Sequence, residues 1–200
     1  MLEHLQPVSA FAGLAQPTPA SGTAGLTVTE RRGLGLATVT LRQNGREGFA
    51  SALSSAYDLA LTDGPRVSAG RDITLVGTGP RSWLAVQPGG GWHFARQLGQ
   101  TLAGSAAVAD QSSGYAVLRL SGPKVRQVLA KGVPVDLHPS VFQPEDAAVT
   151  LAGHVGIVLW QVDATPSYDI AVFRSFAGSF WHWLSESAAE FGMAVASPAD

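Results

Sequence analysis

With five histidines, 15 acidic residues and no cysteine, the 200-residue chain has few ways to build an active site. The missing cysteine excludes disulfides, iron–sulfur clusters, thiolate zinc sites and a cysteine nucleophile. His4, His93, His138, His154 and His182 lack the paired spacing that would set two metal ligands on one helix face. Asp136 and His138 lie two apart in a proline-flanked segment. They could form a metal or acid–base pair, but the favoured reading is a loop lock whose side chains satisfy exposed backbone groups. Glu145 and Asp146 form an adjacent acidic pair beside Pro144 and read as solvated turn acids. Asp163 and Asp169 flank the turn Ala164–Tyr168 and are expected to cap a hairpin. No Gly-x-Ser-x-Gly elbow is present to expose a serine nucleophile. Gly77-Thr78-Gly79-Pro80 and Gly89-Gly90-Gly91 lack the Lys-Ser/Thr of a phosphate loop and the third glycine of a dinucleotide fold, so they read as turn glycines.

These residues must be held by the surrounding elements. Residues 1–34 are expected to form an irregular Pro/Ala/Gly-rich arm, either mobile or laid along a partner, with order beginning at Gly35. Leu36–Leu41 alternates as a strand does, and Phe49, Leu53, Ala56, Tyr57 and Ala60 recur at helical spacing up to the breaker Asp63-Gly64-Pro65. Strand patterns at 72–76 and 82–86, a helical pattern through Phe94, Leu98 and Leu102, and a strand at 106–110 complete a β-α-β-β-α-β unit over 35–111.

A second unit is expected over 112–200. It has a strand at 115–120, then a helix opened by Ser121 as cap with Pro123 in its first turn. An irregular stretch at 133–144, three more strands and a last helix at about 178–191 follow. The fold class expected is therefore α+β, two ferredoxin-like units fused through adjacent sheets. On the last helix, Phe176, Phe180, Trp183, Leu184 and Phe191 share one face, with Trp181 at its edge and His182 turned away. Trp181 either completes the core or joins His182 in an exposed patch of the kind that anchors a protein interface.

Composition narrows the class further. The chain is 46% hydrophobic and carries a net charge of −2, giving no electrostatic reason to expect nucleic acid. No apolar run reaches the roughly 18 residues of a membrane helix, and Met1–Pro7 lacks the pattern of a signal peptide. A cytoplasmic location is the expectation. Charged residues make up only 14%, with 11 arginines against Lys124 and Lys131. That balance fits either a subunit rich in interface or a GC-rich coding bias.

The run Asp110–Pro123 with the apolar positions Val125–Leu129 resembles the folate-binding aminomethyltransferase family, which includes the T-protein of the glycine cleavage system. Val76–Leu84, Val135–Pro139 with Phe142, Tyr168–Ser175 and the helix bearing Trp181–Leu184 bring it closer to the gamma subunits of bacterial heterotetrameric sarcosine oxidases. The resemblance implies a structural subunit of a complex that oxidises sarcosine to glycine, releasing hydrogen peroxide and either formaldehyde or 5,10-methylenetetrahydrofolate. It further implies alpha, beta and delta partner subunits, with FAD in beta, FMN between alpha and beta, NAD and tetrahydrofolate in alpha and zinc in delta. No cofactor and no catalytic residue is then expected in this chain. In the T-protein the second half carries its catalytic carboxylate on a glycine-rich strand; Gly153–Gln161, the corresponding stretch, has none. The alternatives are a free-standing folate-binding aminomethyltransferase-like protein and an unrelated ferredoxin-like interaction module.

Overall fold

The computed structural model describes residues 8–18 and 24–198, so His4, Met1–Pro7 and part of the expected arm lie outside the described residues. The first half runs β1 (Leu26–Arg31), β2 (Gly35–Leu41), α1 (Arg46–Tyr57), β3 (Val67–Gly70), β4 (Ile73–Gly79), β5 (Ser82–Gln87), α2 (Phe94–Thr101) and β6 (Ala106–Asp110). The second runs β7 (Tyr115–Ser121), α3 (Val125–Leu129), β8 (Ala147–Ala152), β9 (Val155–Asp163), β10 (Ser167–Phe173), α4 (Ala177–Ala188) and β11 (Met193–Val195). One sheet has the order β11-β1-β7-β10-β9-β8 and the other β3-β4-β5-β2-β6. The fold is the expected mixed α+β with two sheets.

Three cores explain how the layers hold. Phe49, Leu53, Leu75, Trp83 and Leu98 fill the space between the five-stranded sheet and α1 and α2. Leu118, Tyr168, Ile170, Phe180 and Leu184 do the same between the six-stranded sheet and α3 and α4. The third core lies between the sheets, where Leu36, Val76 and Leu84 meet Val117, Val158, Trp160 and Ala171. The sheets therefore face each other with helices outside, and full burial of each such side chain contributes about 1.5–3 kcal/mol. At the sheet edges Arg66 bridges to Asp146, bringing the start of β3 to the start of β8.

Several elements depart from the sequence reading. Leu26–Arg31, placed in the irregular arm, is a strand whose Leu26 and Val28 are fully buried. It joins the sheet of the second half, antiparallel to β7 and parallel to β11. Its six residues alternate, but Thr and charge on one face and Gly-rich flanks mask the signal. The short β3 and β11 were also unforeseen; β3 gives residues 35–111 a β-α-β-β-β-α-β order. Asp58, in the left-handed region at φ 53°, ends α1 well before the Asp63-Gly64-Pro65 breaker. Ser121 closes β7 and caps nothing; α3 starts at Val125 after Lys124 without a side-chain cap. Gly122 between them sits at φ 116° with a Cβ position 2.7 Å from the Gly25 carbonyl, so only glycine fits there. Phe176 precedes α4 and is about half exposed rather than part of its buried stripe.

The described part of the arm lies on its own chain. Phe11 is buried in the core under α4, with Ala10 and Ala15 beside it. Ser9 Oγ donates to Glu30, and Thr18 Oγ1 accepts from the Val195 N–H at 3.0 Å.

Candidate functional site

A cleft of about 270 Å³ lined by charged side chains lies between the two sheets. One wall carries Arg31 from β1, Arg119 from β7, Gln161 from β9 and Asp169 from β10; Val67, Thr74 and Val86 of the other sheet stand opposite. Strand alternation aims these charges inward: Asp169 pairs with Arg119 across β10–β7 and with Trp160 across β10–β9. Arg119 grips Asp169 in a fork, Nε to Oδ1 at 2.7 Å and Nη2 to Oδ2 at 2.8 Å. Arg31 Nη1 adds a third bond to Oδ2 at 3.3 Å. The hydrogen bond from Arg119 to Asp169 holds the Arg119 pKa above the ordinary arginine value, whereas burial lowers that of Arg31, opposed by Asp169.

This geometry bears on chemistry. A general base needs a lone pair free to reach a proton on substrate. The Asp169 carboxylate instead accepts three guanidinium hydrogen bonds and is 5% exposed. Its role is to hold two arginines between the sheets through one shared negative charge. Beside it the Gln161 amide donates through Nε2 to the Asp163 carbonyl at 2.8 Å, while its buried Oε1 has no hydrogen-bond partner.

The expected hairpin caps therefore divide. Asp163 does cap the β9–β10 turn, accepting from the Thr165 N–H at 2.9 Å and from Thr165 Oγ1, whose bond is the chief cause of a lowered carboxyl pKa. Asp169 does not. Sequence spacing hid its role because Arg31 and Arg119 reach it from strands far away in the chain.

The other sequence candidates are structural in their contacts. Asp136 Oδ1 accepts from the His138 N–H at 2.9 Å, and His138 Nδ1 meets Ser140 Oγ at 2.7 Å, so the exposed pair closes a turn. Asp146 is more than a solvated turn acid, since it takes the Arg66 guanidinium and the Gln143 N–H at once. Gly77 is not a turn residue: it lies on β4, and a Cβ there would stand 2.1 Å from the Gly64 carbonyl. The open groove of about 460 Å³ beside it is lined by Arg46, Asp63, Arg81 and Trp83. Arg46 and Asp63 pair with each other there at 2.5 Å. Trp181 is half-buried, its ring 6.1 Å from that of Phe11, and His182 is exposed on α4. Among the described residues no three of His, Asp and Glu converge to hold a metal ion.

Comparison with known proteins adds the family. Residues 43–190 match the model of the sarcosine oxidase, gamma subunit family. The chain is 34% identical over 150 residues to sarcosine oxidase subunit gamma of Corynebacterium sp. (strain P-1), covering 74% of this chain and 72% of that protein. Its fold is similar to a chain of heterotetrameric sarcosine oxidase from Corynebacterium sp. U-96, with TM-score 0.78 and 24% identity over 92% of this chain and 96% of that one. It is also similar to the glycine cleavage system aminomethyltransferase T of Bartonella henselae, with TM-score 0.61 and 16% identity over 88% of this chain and 48% of that one.

Proposed function

Because the chain belongs to the sarcosine oxidase gamma subunit family, we propose that it docks on the flavin-bearing subunits of a heterotetrameric sarcosine oxidase and stabilises them. It is a non-catalytic subunit of an oxidoreductase complex. The partners in this reading are alpha, beta and delta subunits, and FAD, FMN, NAD, tetrahydrofolate and zinc are theirs to bind. The complex converts sarcosine to glycine with hydrogen peroxide and formaldehyde or 5,10-methylenetetrahydrofolate as the other products. A cytoplasmic location is part of the proposal. No helix among the described residues is long and apolar enough to cross a membrane.

The observation that carries the structural role is Asp169. The carboxylate missing from Gly153–Gln161 has a counterpart one strand away on β10, opposite Trp160, but two arginines share it. The space between the sheets is thus filled by packing and ion pairs, on a fold that can be kept without its chemistry.

Purifying a tagged copy from the native host tests the reading. The expected product is a yellow complex of four different chains that consumes oxygen when given sarcosine. A colourless lone 20.7 kDa protein would overturn it. The alternative, a free-standing folate-binding protein, requires saturable binding of tetrahydrofolate by the isolated chain, and such binding would displace the non-catalytic reading.

A further inference from the structure

Of the eight large exposed apolar side chains among the described residues, four lie toward one end of the molecule. Val8, Trp92, Phe173 and Phe176 are between 45% and 66% exposed. They come from distant segments, yet a line of hydrogen bonds ties those segments together. Arg174 Nη2 donates to the Val8 carbonyl, and the Arg174 N–H donates to Gly114 at 2.8 Å. The turn from Gln111 to Gly114 reaches the Gly91 carbonyl through Ser112 Oγ at 3.3 Å, beside Trp92. Strand directions agree, since β10 ends where β7 starts and β6 ends where β2 starts.

Resting on the subunit reading above, we propose that this end is the surface by which the chain docks on a flavin-bearing subunit. The matching face of that partner is apolar with a rim of carboxylates. Interface cores are enriched in aromatics and arginine, and rigid aromatic anchors give most of the binding energy. The aromatics here are held before any partner arrives: Phe173 stacks on Tyr115 with centroids 4.4 Å apart, and Trp92 lies on His93 at 3.5 Å with Arg96 over its ring at 5.8 Å. Little side-chain entropy is left to lose on docking.

Charge identifies the partner's rim. The exposed charged groups on these segments are Arg32, Arg96 and Arg174 against Asp110. Glu30 is buried and already holds Arg32 and Ser9, and Asp110 accepts from Ser112. With Arg32 paired to Glu30, Arg96 and Arg174 against Asp110 leave a surplus of one positive charge among the described residues at this end of a chain with net charge −2, which favours carboxylates opposite.

The test compares tagged wild type with Trp92→Ser, Arg96→Glu and Phe176→Asp in the native host, reading flavin absorbance per mole of tagged chain and the melting temperature of each isolated chain. The expected result is about a tenfold or greater loss of co-purified flavin with wild-type melting temperatures. Trp92→Ser and Arg96→Glu lie on exposed side chains and keep the test valid if Phe176→Asp does not fold. Undiminished flavin in folded variants overturns this surface while leaving the subunit reading intact. Wild type that brings no flavoprotein sinks that reading first. An isolated wild-type dimer made monomeric by Trp92→Ser would assign the surface to a second copy instead and likewise overturn the proposal.

Discussion

Asp169 is the residue on which the interior electrostatics turn. Replacing it with Asn leaves two guanidiniums between the sheets without their shared charge. Removing one partner of a buried pair costs about 3–5 kcal/mol, and the partial exposure of Arg119 brings the expected loss for Asp169→Asn to about 2–4 kcal/mol, measurable by urea unfolding. An unchanged midpoint would mean the arginines find other partners. Tyr168 supplies a pH test. Burial raises its pKa above the ordinary 10.0, although the Arg126 Nε–H donates to its hydroxyl at 3.0 Å. A raised folded-state pKa means the folded protein binds the proton more tightly, so this stability is complete below pH 10.0 and is lost as pH rises through the folded value. Tyr168→Phe should therefore lose less stability than wild type as pH rises above about 10. Parallel curves would show that Tyr168 ionises as freely folded as unfolded.

Among the elements, the N-terminal segment has the most to reveal. Phe11 fills a place under α4 that would otherwise be a cavity beside Trp181. Phe11→Ala should cost about 3 kcal/mol, concentrated in undocking residues 8–18, and proteolysis should then cut there well before the sheets. Equal cleavage rates in wild type and variant would show that the segment is held by Ser9 and Thr18 instead. The strands β2 and β4 to β10 were legible in the sequence, β2 by its alternation and the others as apolar runs bounded by turns, as were the apolar faces of α1, α2 and, Phe176 apart, α4. The strand β3 pairs with its neighbour β4 across a two-residue turn and was hidden because Val67-Ser68-Ala69-Gly70 is short and weakly apolar. The strands β1 and β11 were not legible, because their pairing energy comes from partners distant in the chain. The inter-sheet charge cluster was illegible for the same reason: Arg31, Arg119 and Asp169 sit on three strands and share no motif. The exposed aromatic end was equally hidden, since only tertiary hydrogen bonds through the Gln111–Gly114 turn link the segments of Trp92 and Phe173.

At the scale of the whole molecule, the account separates fold from chemistry. Two facing sheets with helices outside are the architecture shared with the T-protein of Bartonella henselae. Here the space between the sheets is occupied by apolar packing and by a neutralised carboxylate. The chain should accordingly change how well its partners hold together and leave the chemistry of each flavin site untouched. The most direct measurement reconstitutes the oxidase from its other subunits with and without this chain, then reads turnover of sarcosine per bound flavin and the temperature at which flavin is released. The expected result is a lower release temperature and fewer assembled complexes without the chain, at unchanged turnover per flavin. Loss of turnover per flavin in an otherwise intact, flavin-loaded complex would contradict the account, because it would give this chain a part in the reaction itself.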